Sequence, residues 1–539
     1  MPGSGGPFGR VGRCRLLSAA GAPPIPVVRA GLNIQQTWGT AVLGTTDKQL
    51  EAMRRTAAAA ATTSKTGSRA VKLCTAGRVA ESLDPVFEVT AAPLRAWVLA
   101  VWLSSQPGES SLGLMGKALA EAVRRPRARC AGPARALLTA LHRIRWQALS
   151  ATKWVTDDGV VLDLTVYSPA YVERVCRVAV WRWVSRDIAA TTCSPDLRFG
   201  VWWRPMRELM KKVPTGLSYL KRVWCGSEHD QADLLQARRA QAADCQVCGC
   251  RGTVAHRHWE CPLLEPHRLQ LDPALRERGR QAARDGEPGF WRHLLLPHPL
   301  ACYLQLDADE GLEWGGCDMK RVQFFSGNVY TDGSAMDVAE GHVARAAGGV
   351  VMTTLPGRAD LQVKGALPGP LQTINLAELY YVEVALRHAM PPIDLGVDCF
   401  SIISAMLMGE ESCCSPRRVG AHIWRRIWFH VNDMGGIAYW ERGSRPGVPI
   451  TIRWVPAHLP QRALDEGNIS AVDFLGNRAV DALAKEAVEA RRVDPGLLQG
   501  LRNLRPLARR SVGVGCRGPA PRHRSRCLAN VKTLLVPER

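Results

Sequence analysis

At 539 residues the chain is too long for one small binding module and has room for three or four domains of about 150 residues. Hydrophobic residues at 46% and charged residues at 22% exclude an extensively disordered or fibrous protein and allow packed cores. The net charge of +21 points to a polyanionic partner, but it is uneven: +13 over 1–319, −2 over 320–490 and +10 over 491–539, so the basic charge flanks a nearly neutral segment.

Residues 1–70 are rich in Gly, Pro and Ala and end in AAAAATTSKTGS, which reads as a disordered or linker lead-in. Met1 to Thr46 carries four arginines and no acidic residue, yet is rich in Gly and Pro and lacks a clear amphipathic period, so it reads as an unstructured start rather than a transit peptide. The apolar stretch 91–103 is shorter than a bilayer span and is interrupted by Arg95, so no membrane partner is expected. Seventeen cysteines, mostly scattered, argue against a secreted disulfide scaffold and for a reducing, cytoplasmic or nuclear setting.

From 71 to 240 the pattern is helical: 133–149 sets Ala136, Leu137, Leu141, Ile144 and Leu149 on or near one face, and 171–184 and the basic 207–224 continue it. Within this region Asp157-Asp158-Gly159 reads as a hairpin turn between KWV and VVLDL, not as a polymerase palm. Residues 241–265 hold Cys245, Cys248, His256 and Cys261 in a C-x2-C-x7-H-x4-C spacing, which can close a tetrahedral structural Zn2+ site. Cys250 and His258 are alternative ligands in another register. The element resembles the zinc-binding motif between the reverse transcriptase and ribonuclease H regions of non-LTR retroelement polyproteins, including the Cys261-Pro262 that ends it.

After a connector at 266–320, the text turns to short apolar strands and helices up to 490. NVYTDGSAM delivers Asp332 at a strand end, 344–354 and 361–367 read as two antiparallel strands, and 373–390 is a helix with Glu378 in its first turn. PIDLGVDCFSIISAML is a strand ending in Asp398 and then a helix, TIRWVPAH a strand with His458 past its end, and 476–490 a helix carrying Asp481. Asp and Glu at such positions are often only caps or dipole partners, but their recurrence at element ends favours a shared site. The last 49 residues read as a basic disordered tail.

In this order, TDGS, ELYYVEVAL, VDCFSII, WVPAH and GNRAVDALAKEA resemble type-1 ribonuclease H over roughly 170 residues. The resemblance implies a ribonuclease H-like α/β domain at 321–490: a five-stranded mixed sheet, order 3-2-1-4-5, with flanking helices. It implies hydrolysis of the RNA strand of RNA–DNA hybrids with two Mg2+ or Mn2+ ions held by Asp332, Glu378, Asp398 and Asp481, assisted by His458. Asp473 is a competing acid for the fourth position, and Cys399 stands where the family commonly has Ser. Gln372, Asn375 and Asn477 are the nearest matches to substrate contacts, and helix 415–431 resembles the substrate-handling protrusion, with Arg417, Arg418, Trp424 and Arg425 facing the DNA backbone. The whole chain then resembles the C-terminal part of a retroelement polyprotein, with a reverse transcriptase as a partner in trans. The alternative is a nucleic-acid-binding protein that uses the zinc element and basic flanks and whose hydrolase site has decayed.

Overall fold

The structure is a computed structural model that describes most of residues 11–499; residues 1–10, 500–539 and short stretches including 62–66, 106–110, 125–131, 207–216, 299–310, 318–323, 339–342 and 441–446 lie outside it. Most of the expected basic tail at 491–539 therefore falls outside the described residues.

The expected lead-in is instead helical where it is described, most clearly in α1 (Asp47–Ala61). Its alanines are too small to give a strong sequence signal, but they let helices approach closely: Ala57, Ala58 and Ala60 are buried with Val28, Leu32, Leu73 and Leu83. Arg54 of α1 is buried because Asp84 takes its Nε and Nη2 at 3.0 and 2.8 Å and Asp187 takes its Nη1 at 2.6 Å. Asp84 also caps α2 (Pro85–Ser104), accepting from the Val86 amide. By length and composition α2 is the one helix among the described residues that could cross a membrane, a longer apolar unit than the sequence reading allowed. However, 67% of its most apolar window is buried inside the protein, against α3 (Pro133–Arg143) and α4 (Pro169–Thr191).

Between α3 and α4 run three short antiparallel strands, β1 (Gln147–Ala148), β2 (Lys153–Val155) and β3 (Val161–Asp163). Asp157 and Asp158 lie in the β2–β3 turn, where Gly159 takes φ 87°, and both carboxylates pair with Arg182 of α4, at 2.6 and 2.9 Å. Their charge is thus spent on holding a hairpin to a helix.

The second half is a mixed α/β unit with a seven-stranded sheet, order β4-β7-β6-β5-β8-β10-β9. The strands are β4 (Leu312–Gly315), β5 (Phe325–Met336), β6 (Arg345–Met352), β7 (Leu361–Ala366), β8 (Ala389–Val397), β9 (Ile437–Tyr439) and β10 (Ile450–Trp454). Strands β4, β7, β6 and β5 are mutually antiparallel, and β8, β10 and β9 continue from β5 in parallel. The expected order of five is contained in this sheet as β7-β6-β5-β8-β10, but the expected count is too low. The two added strands have four and three residues, too short for a periodic signal, and they cover edges that would otherwise be open. One of them, β4, lies in what the sequence reading treated as connector, which also contains the helix Pro273–Arg284.

Helices α5 (Ile374–Arg387) and α8 (Ala471–Glu489) pack on β5 and β6 from opposite faces: a side chain at Gly333 would meet α5, whereas one at Gly349 would meet Leu483 of α8. α6 (Phe400–Leu407) follows β8, and α7 (Ala421–Asp433) packs on α5. One hydrophobic core runs from the upstream helices into this sheet. At the junction Ser168, the N-cap of α4, donates to the Arg418 and Val419 carbonyls at 3.1 and 2.8 Å, and the Arg425 guanidinium lies 3.1 Å from the Trp102 ring centre.

Candidate active site

Asp332 is not at a strand end as expected but is the eighth of the twelve residues of β5, opposite Gly349 of β6, at the point where pairing with the shorter β8 stops; Thr331 pairs with Val397, so Asp398 begins where the adjacent parallel strand ends. Two carboxylates therefore sit side by side, one within β5 and one just past the end of β8. Asp398 is not a helix cap: Cys399 holds the N-cap position of α6, with no side-chain capping bond. Glu378 is the fifth residue of α5, past the first turn in which the sequence reading set it, so the helix dipole does not account for it. It comes close to β5 because residue 333 is glycine, whose added Cβ would run into the Glu378 backbone and sit 2.9 Å from the Ala377 carbonyl carbon.

Asp332, Glu378 and Asp398 each offer an oxygen, and the three oxygens lie within 4.8 Å of one another. Asp332 and Glu378 are buried, at 6% and 7% exposure, and Asp398 is half-buried. Burial, then the charges of Asp398 and Asp481, pushes the Asp332 carboxyl up to about 7. Burial, then Asp332, Asp398 and Cys399, pushes Glu378 up to about 10. Burial also raises Asp398, opposed by His458. Glu378 Oε2 is buried with no hydrogen-bond partner. A lone buried oxygen among acids is unfavourable by itself and favourable beside a cation, so the residues fit a hard divalent ion with oxygen ligands.

The remaining expected residues divide. His458 sits on the loop after β10, exposed, at φ 53°, and close enough to Asp398 to oppose its shift. Asp481 adds to the field at Asp332 but is not part of the close group: Lys485, one turn on, takes its Oδ2 at 2.7 Å. The competing acid, Asp473, points elsewhere, pairing with Arg453 and accepting from the Tyr330 hydroxyl at 2.9 Å. Asn375 is exposed in the first turn of α5 and Asn477 is buried on α8, one turn before Asp481.

Four expected substrate contacts are engaged within the fold. Gln372 uses both ends of its amide inside the fold: Oε1 accepts from Ala346 N at 2.9 Å, and Nε2 donates to the Leu367 and Gly369 carbonyls. Trp424 is buried at 4% exposure, Arg425 is covered by Trp102, and Arg418 donates toward Ser412 Oγ at 3.3 Å. The upstream helices cover this side of α7, so its buried stripe is wider than its own period indicates. Arg417 stays exposed. The sequence reading assigned no role to Phe400 and Trp454, which are 57% and 44% exposed and meet edge to face at 6.1 Å. Trp454 Nε1 donates to the Asp398 carbonyl at 3.0 Å, which sets this aromatic pair at the rim of the acidic group.

A second group joins Cys245, Cys248, His256 and Cys261, whose ligand atoms also lie within 4.8 Å of one another. Cys245 and Cys248 sit on a turn closed by Gly249 N to Cys245 O at 2.8 Å, and His256 Nε2 is 3.1 Å from Cys248 Sγ. Two thiols from this turn, with the imidazole and the third thiol from the segment His256–Glu260 and the residue that ends it, match a four-ligand zinc shell. The alternatives fall away: Cys250 is exposed, and burial pushes His258 down to about 4 outside the group.

No family model matches the chain, and no curated protein does. Among solved structures the chain is similar to LC9-RNase H1, described as a type 1 RNase H with the type 2 active-site motif, at 17% identity, over 35% of this chain and 87% of that chain, with a TM-score of 0.22.

Gly333→Ala tests whether the close approach of α5 builds the acidic group. The added methyl meets backbone rather than a flexible side chain, so α5 must move, at a cost of about 1–3 kcal/mol. The expected result is a lower unfolding midpoint and loss of any stabilisation by Mg2+ or Mn2+ in a thermal shift titration. An unchanged metal response would show that Glu378 does not depend on this packing.

Proposed function

We propose that the chain hydrolyses the RNA strand of RNA–DNA hybrids at the group formed by Asp332, Glu378 and Asp398, with Asp481 as a fourth acid. The observation that carries this reading is the convergence of three carboxylates from two adjacent strands and one helix, with a buried Glu378 oxygen left unpaired. Divalent ions held there would activate the attacking water and offset charge on the departing 3′-oxygen. The protein's own part is to hold the acids close despite their repulsion and to bring His458 beside Asp398, where an imidazole can accept or return a proton. Phe400 and Trp454 supply exposed faces on which sugars or bases can stack at the rim. Asn375, Asn477 and Arg417 remain substrate contacts in this proposal.

The zinc element and the basic flanks would hold nucleic acid near the site, and the likeness of motif order supports a retroelement-type origin and a reverse transcriptase partner in trans. The test is incubation of the purified chain with a labelled RNA–DNA hybrid and Mg2+ or Mn2+, beside Asp398→Asn. Metal-dependent cleavage confined to the RNA strand and lost in the variant is the expected result. Binding of the hybrid without cleavage would favour the decayed, nucleic-acid-binding alternative.

A further inference from the structure

We infer that Arg453 is a positioning residue for the acidic site, tying together through one buried network the elements that carry Asp332, Asp398, His458 and Asp481. This inference rests on the proposed function. Arg453 lies on β10, five residues before His458, and its side chain is 4% exposed. Its Nε donates to both oxygens of Asp394, at 2.8 and 3.0 Å, and Asp394 is on β8 four residues before Asp398. Its Nη2 donates to the Tyr330 hydroxyl at 3.2 Å, and Tyr330 is on β5 two residues before Asp332. Its Nη1 pairs with Asp473 in the first turn of α8, eight residues before Asp481. Tyr330 closes the ring by donating to Asp473 at 2.9 Å.

The contacts are also packed into place. A Cβ on Gly476 would overlap the Tyr330 ring, so α8 lies directly on this tyrosine. Ser470 caps α8 at the Asp473 amide at 3.1 Å and donates to the other Asp473 oxygen at 2.8 Å, which fixes the carboxylate that Arg453 meets. A buried charge network is weak evidence for stability, because desolvation offsets much of the attraction. What a planar five-donor fork supplies that an apolar filling does not is direction: it sets the relative register of three strands and a helix. The site that register serves is one in which acids must sit close together against their repulsion.

Tyr330→Phe removes one hydroxyl from the network and keeps the ring under Gly476, so it should fold; Arg453→Lys keeps the charge and loses the fork. Both are compared with the wild-type chain for the Mg2+ and Mn2+ concentration giving half of the full thermal shift, and for kcat and KM on the hybrid. The expected result for Tyr330→Phe is a rise of at least about fivefold in half-saturating metal and a fall in kcat, with KM for the hybrid unchanged; Arg453→Lys should show a larger effect in the same direction. A folded Tyr330→Phe and a folded Arg453→Lys with wild-type metal response and kcat would overturn the inference alone. A wild-type chain that takes up no metal would overturn the reading beneath it.

Discussion

Asp332→Asn should abolish hybrid cleavage and, in magnesium-free buffer, make the protein more stable. Both effects have one cause. Burial and neighbouring acids hold Asp332 up at about 7 and Glu378 at about 10, above their values in the unfolded chain. For groups raised in this way, the contribution to stability is complete below about pH 4, the unfolded value, and is lost as the pH rises through the folded value. Without metal, the folded protein should therefore lose stability from about pH 4 toward pH 7 for Asp332, and further toward pH 10 for Glu378. An amide at 332 carries no charge to desolvate and removes the second largest cause of the Glu378 shift. The gain should be negligible at pH 4 and reach on the order of 4 kcal/mol by pH 8, since each pKa unit corresponds to about 1.4 kcal/mol. Thermal unfolding of both proteins from pH 4 to 9 measures it. In the same buffers, added Mg2+ should stabilise the wild-type chain more as the pH rises, because binding needs the ionised acids, and should not stabilise the variant. A variant less stable than wild type at pH 8 would contradict this account of the site.

Cys261→Ser, or treatment with a strong zinc chelator, should unfold the 245–261 element while leaving the seven-stranded sheet folded. Cys261 has no exposed surface and His256 only 7%, so if a metal holds the group, losing one ligand leaves a buried imidazole and two thiols close together with nothing to bridge them. Structural zinc contributes roughly 10 kcal/mol or more to the folding of such small elements. The disruption should extend to the helix Pro273–Arg284 and to Pro288–Trp291, because Trp259 stacks near Phe290 at 6.4 Å and its Nε1 donates to the Trp291 carbonyl at 2.8 Å. Metal analysis should find one zinc per wild-type chain and none in the variant. Limited proteolysis should cut between 240 and 295 only after chelation. An untreated chain without zinc, or equal resistance before and after chelation, would leave the four side chains as packed thiols and a histidine.

Sequence carried the acidic group well because each member is marked locally. Asp332 follows an apolar strand run and precedes Gly, although its strand runs on to Met336; Asp398 stands between a strand and a helix, and Glu378 sits on a strongly apolar helix. The cysteines and the histidine of the second group are likewise within 17 residues of one another. What sequence did not carry depends on partners far along the chain. Arg453 meets Asp394 across 59 residues and Tyr330 across 123, and nothing in the spacing of these residues announces a buried charge. Asp481 turns to Lys485, a local pair visible only once the helix is assigned, and the family-like position drew attention from it. Trp424 and Phe429 show the same limit: both flank the apolar stripe of α7, yet Trp424 is buried and Phe429 is 67% exposed, because only one flank of that helix is covered by a second body.

That cover has a practical consequence for anyone wishing to isolate the half that holds the seven-stranded sheet. Tyr167 and Tyr171 close around the His422 ring at 5.3 and 5.0 Å, Trp102 lies on Arg425, and the Leu371 amide faces the Tyr171 hydroxyl. A fragment starting near 321 would therefore present bare apolar surface along α7 and would also lack β4, the strand that shields one margin of the sheet. The two halves share one packed core, and a cassette that keeps them together needs its upstream cut before α2.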